Sequence, residues 1–229
     1  MIQAIGEGIF DVGYLISVIT MGILMVRRSK GSRLFLTFGA MAIVLGCGDA
    51  FHLLPRVWAL HSTGLESHAA ALGLGKLVTS ITMTVFYILL YDIWCQRYQV
   101  QGKRGITVTI WLLAVLRIAL CFFPQNDWLS ADAPISWGIY RNIPFALLGL
   151  VIIVLFFREA KAHRDGAFRW MWLAIALSFG FYIPVVLWAD AVPLVGLLMI
   201  PKTCAYLWVV IMGYGAMQRE LSALNLPKP

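Results

Sequence analysis

Charge is what this chain has least of. Only 13% of its 229 residues are Asp, Glu, Lys or Arg, about half the share in a soluble domain. No long polar block, low-complexity tract or Ser/Gly linker breaks it, so one domain embedded in lipid is expected over the whole length. No CxxC pair occurs among its four cysteines, Cys47, Cys95, Cys121 and Cys204, which leaves neither a zinc ribbon nor a disulfide framework. They read as small apolar packing residues. The opening "MIQAIGEGIFD" lacks the basic stretch of a secretory signal. What is abundant is apolar: 61% of residues are hydrophobic and nine are Trp, a residue that favours membrane–water interfaces.

A bilayer core needs about 20 apolar residues per helix. Seven stretches qualify, at 9–26, 34–54, 70–94, 105–123, 138–157, 169–189 and 193–216. The fold class read from them is an all-α integral membrane protein, a seven-transmembrane-helix bundle. The absence of an internal repeat disfavours the repeat-built transporter folds.

The net charge of +7 would suit nucleic acid were it not so unevenly distributed. Thirteen of the 18 Lys and Arg fall in alternate connectors and the C-terminal tail, from Arg27 and Arg28 through Arg97, Lys103 and Arg158 to Arg219 and Lys228. Positive connectors face the cytoplasm. The expected topology is therefore N-terminus outside and C-terminus cytoplasmic, in the cell (cytoplasmic or inner) membrane, with lipids rather than nucleic acid as surroundings.

Five cations remain: Arg56, Lys76, Arg117, Arg141 and Lys202. All map to the outer half of the bilayer or its edge. Lys202 is the deepest, ~15 Å below the outer end of the last span at the helical rise. A lone cation there costs ~2.5–3.5 kcal/mol even on the lenient insertion scale. Pro55 is expected to end the second helix at Leu54, putting Asp49 and His52 on one face of its last two turns. An Asp49–Lys202 pair is expected, since a paired intramembrane charge is tolerable where a lone one is not.

Interior prolines at Pro144, Pro184 and Pro201 free backbone carbonyls in the same half, as beside a cavity. The cations outnumber the acids Asp11 and Asp49 there. An outward-opening, positively charged pocket walled by spans 2, 3, 5, 6 and 7 follows, binding a small anionic ligand or lipid head group in a receptor, binding subunit or transporter. Its expected ligand residues are Asp49, His52, Lys76, Arg117, Arg141, Tyr182, Lys202 and Tyr206. Thr79, Thr82, Asn142 and Thr203 are further polar candidates, and Gln125, Asn126 and Trp128 are expected to cap the fourth helix.

Two resemblances supply alternatives. Asp and His near helix ends look like those of seven-helix membrane hydrolases of the ceramidase and progestin-receptor-like type. That likeness implies an enzyme using Asp49 and His52, with Ser80 as nucleophile or with zinc held by Asp49, His52, His61 and His68. The paired histidines of that family's last helix are missing. Seven spans with a lysine in the middle of the last resembles the rhodopsin arrangement, which implies retinal on Lys202 with Asp49 as counterion. Here the chain departs at Leu198, where microbial rhodopsins carry Asp. It departs again in the third span, whose only carboxylate, Asp92, stands at the cytoplasmic end.

Overall fold

A computed structural model describes residues 2–62, 64–189 and 191–224. Asp190 of the last connector and Lys228 of the tail lie outside the described residues. Seven α-helices follow one another: α1 (Ile2–Arg28), α2 (Arg33–His61), α3 (Ala69–Arg97), α4 (Arg104–Cys121), α5 (Ile135–Ala162), α6 (Met171–Trp188) and α7 (Met199–Leu224). Short 3-10 turns occur at Glu66–His68, Pro124–Asn126 and Pro193–Leu198. There is no strand among the described residues. All seven helices are long and apolar enough to cross a membrane, as read from the sequence.

Helices suit this sequence because lipid offers no hydrogen-bond partner, so each span must satisfy its own backbone. Which face turns inward is set by periodicity. In α4, Ile110, Ala114, Arg117 and Cys121 are buried, while Trp111, Leu112, Val115 and Leu116 are exposed. Four-three-four spacing thus puts Arg117 on the bundle side. The same logic turns Lys202, Ala205, Tyr206, Val209 and Val210 of α7 inward.

Side-chain links between helix ends show an up-and-down bundle. Arg56 near the end of α2 bonds Glu7 near the start of α1 at 3.4 Å. Lys103, beside the start of α4, reaches Glu159 near the end of α5 at 3.4 Å. α3 runs through the middle. Its Thr79 donates to the Gly48 carbonyl of α2 at 3.0 Å, and its Tyr91 bonds Thr107 of α4 at 2.7 Å. The Tyr87 ring packs on Phe145 of α5 and Phe179 of α6, with centroids at 5.1 and 5.6 Å. Phe86 meets Tyr206 of α7 at 5.5 Å. α7 closes the bundle against α1, α2 and α6.

At the basic end, Arg97 grips Asp165 of the α5–α6 connector through two bonds, of 2.8 and 3.1 Å. Burial alone would push the Asp165 carboxyl up. The bonds from Arg97 and from the backbone N–H groups of Ala167 and Phe168 outweigh it and hold the group below its usual range.

Two sequence expectations need correction. α2 does not stop at Leu54 but continues through Pro55 to His61. The proline leaves the Phe51 carbonyl without its helical donor, and this carbonyl faces the backbone of Gly75 in α3. Only glycine allows α3 so close, because a Cβ at position 75 would run into the Phe51 carbonyl and the His52 backbone. Pro201 is also not an interior proline. It sits in the first turn of α7, directly behind the 3-10 turn. Interior prolines are Pro55, Pro144 and Pro184.

Candidate functional site

The two buried cations lie toward the end of the bundle that carries the N-terminus. Arg117 is 2% exposed and Lys202 8%. The Arg117 guanidinium lies 3.2 Å from the centre of the Phe145 ring. Its Nε and Nη1 are buried without a hydrogen-bond partner, and so is the hydroxyl of Tyr87. Lys202 sits between two rings, its ammonium 4.8 Å from the centre of Tyr182 and 5.4 Å from that of Tyr206. Aromatic faces attract a desolvated cation by roughly 2 kcal/mol. That offsets part of the burial cost without supplying a counter-charge.

The expected Asp49–Lys202 ion pair is not formed. Asp49 accepts a 2.8 Å hydrogen bond from the Tyr14 hydroxyl of α1, and no carboxylate is in ion-pairing contact with Lys202 among the described residues. The charges of Asp49 and Arg117 still act on Lys202 across the core. Asp49 is also not in the last two turns of its helix, because α2 runs on to His61. Tyr14 was missed because tyrosine in a span also reads as an interfacial anchor. Its one signal is burial depth in α1, which sequence does not give.

The other expected site residues are dispersed. Arg141 donates to Asn126 Oδ1 at 2.8 Å and lies 4.3 Å from the centre of the Trp128 ring. Tyr182 donates to Asn142 Oδ1 at 3.1 Å. Lys76 is exposed. Ser80 gives its hydroxyl proton to the Lys76 carbonyl at 2.8 Å, a bond within its own helix that does not make it a partner of His52. His52 keeps a buried Nδ1 without a bond. His61 and His68 turn to the carbonyls of Val57 and Gly64, at 2.8 and 3.0 Å. The zinc set Asp49, His52, His61 and His68 is therefore corrected: among the described residues no three His, Cys, Asp or Glu side chains come together as metal ligands.

The α4–α5 connector covers this end of the bundle. Asn126 is completely buried, and its amide donates to the Leu120 and Phe123 carbonyls at 2.7 and 2.8 Å. Trp128 donates its indole N–H to the Cys121 carbonyl at 2.9 Å. These two close off α4 as expected from sequence. The Trp128 carbonyl in turn lies directly on Gly73 of α3.

No protein family, curated protein or solved structure matches this chain. Its chemistry has to be read from the site.

A cleft of about 170 Å³ lies between α5 and α6, lined by Asn142, Ile143, Phe145, Ala146, Tyr182 and Ile183 among others. Of the expected ligand residues only Tyr182 lines it. Asp49, His52, Lys76, Arg117 and Lys202 do not, so the cleft is apolar where a cationic pocket had been expected. Yet two of its walls are the rings that carry the cations, Phe145 against Arg117 and Tyr182 against Lys202.

Proposed function

We propose that this chain is a polytopic membrane protein that recognises an anion inside its bundle, as a receptor, binding subunit or transporter. One observation carries the reading. Two cations are buried in one core, Arg117 has two nitrogens without partners, and the acid Asp49 is in ion-pairing contact with neither. Buried charges are normally paired, and an intramembrane ionisable residue marks a substrate or ion path by default. An anion entering between Arg117 and Lys202 would complete both.

The test is thermal stability of the purified protein in detergent with acetate, phosphate and sulfate, for wild type and Arg117→Gln. A ligand at 100 times its Kd stabilises by about 2.7 kcal/mol, which is about 5–10 °C for a chain of this size. At least one anion should raise the wild-type melting temperature by that order and leave the variant nearly unmoved. Equal shifts in the two proteins, or none in wild type, would end the proposal.

We read the basic connectors as the cytoplasmic side by the positive-inside rule, which supports an N-terminus and a site on the outer side of the cell membrane. A cysteine introduced at Gln101 should react with an impermeant maleimide only in opened cells. Labelling in intact cells would reverse the orientation.

A further inference from the structure

Resting on the anion-binding reading above, the geometry points to the chemical class of the occupant: we infer that the α5–α6 cleft takes, from the lipid side, the alkyl chain of a long-chain monocarboxylate whose head group reaches Arg117 and Lys202. Four observations lead there.

The first is access. Both cations are buried from water, at 2% and 8% exposure, and the connector is docked on α3 at this end, with Asn126 fully buried and the Trp128 carbonyl seated on Gly73. The cleft instead is bordered by side chains that face the bilayer, Ile143 at 52% and Ile183 at 45% exposure. The second is size. A volume of about 170 Å³ falls well below the ~300–1,000 Å³ of pockets for drug-sized ligands. It suits one chain segment rather than a two-chain lipid. The third is lining, apolar except for Asn142 and Tyr182, which hydrogen-bond to each other and make no demand on a hydrocarbon tail.

The fourth is charge. Phe145 and Tyr182 stand edge to face, with centroids 6.2 Å apart, between the cleft and the two cations. A head group that parts these rings meets Arg117 behind one and Lys202 behind the other. A carboxylic acid can take up a proton at the membrane surface and pass the apolar cleft in its neutral form. Phosphate or sulfonate heads stay charged throughout, at the full cost of an ion in hydrocarbon. Charge complementarity and passage together therefore select the carboxylate.

The experiment is equilibrium binding of radiolabelled oleate to the full-length protein in nanodiscs, with oleyl alcohol and oleyl phosphate as competitors. Oleate should saturate, and oleyl alcohol should compete at least about tenfold more weakly, the scale of one lost charge-assisted bond. Oleyl phosphate should compete poorly as well. Ala146→Phe, which fills the cleft, and Ile183→Trp, at its lipid-facing edge, should each weaken oleate binding, and Arg117→Gln should weaken it too. Oleyl alcohol competing as well as oleate overturns the inference without requiring any variant. So does undiminished oleate binding in both cleft variants. If acetate stabilises the wild type through Arg117 but oleate does not bind, the anion site stands and only its lipid-side occupant is lost. If oleate binds and Arg117→Gln has no effect on either ligand, the anion site itself fails.

Discussion

Replacing Gly73 with valine should lower the melting temperature of the detergent-solubilised protein by about 6–12 °C. The figure takes about 3 kcal/mol, the upper end of overpacking costs, at 2–4 °C per kcal/mol for a chain of this size. The upper end applies because of what the new side chain would meet. A Cβ at position 73 coincides with the carbonyl of Trp128, and backbone cannot swing aside as a side-chain tip can. The connector would have to lift, taking with it the Trp128 bond to Cys121 and the stacking of Arg141 on Trp128. Gly105→Ala is the matched comparison, because nothing lies within 4 Å of a Cβ there. A Gly73→Val protein that melts with wild type would mean that the connector is not docked on α3.

Asp49→Asn should be the second most damaging change, and Lys202→Met should partly rescue it. Asp49 is the acid whose field reaches Lys202. Without it two buried cations face each other uncompensated. Removing one member of a directly bonded buried pair costs about 3–5 kcal/mol. Asp49 and Lys202 are not in contact, so a smaller loss of about 1–3 kcal/mol follows for the acid alone. The double variant should regain part of it, giving a coupling of about 0.5–3 kcal/mol, the range of coupled neighbours. Denaturant or thermal melts of wild type, both singles and the double close the cycle. Zero coupling would show that Asp49 does not balance Lys202 at all, leaving Tyr14 as its one functional partner.

The contrast between those two predictions shows where sequence reading stops. The seven spans were legible, because lipid imposes length and hydropathy on each segment separately. Burial of Lys202 was legible too, from its place inside an apolar span. The capping of α4 by Asn126 and Trp128 followed from polar side chains placed just past a helix end. Partner choice was not legible. Thirteen Phe and eight Tyr leave no way to tell from composition that Phe145 carries Arg117, or that Tyr182 and Tyr206 hold Lys202. The close approach of α3 to α2 just before Pro55 depends on Gly75, which is adjacent in space and remote in sequence. The inward fold of the α4–α5 connector likewise depends on a glycine of α3.

The stacking of Arg117 on Phe145 also bears on how the chain is made. α4 leaves the ribosome first, carrying an arginine in its last two turns and, at 18 residues, little length to spare. Alone in a bilayer that arginine costs up to ~2.5–3.5 kcal/mol, the figure for a helix centre, and the ring that shelters it belongs to α5. The α4–α5 hairpin is therefore the smallest unit in which Arg117 has its aromatic partner.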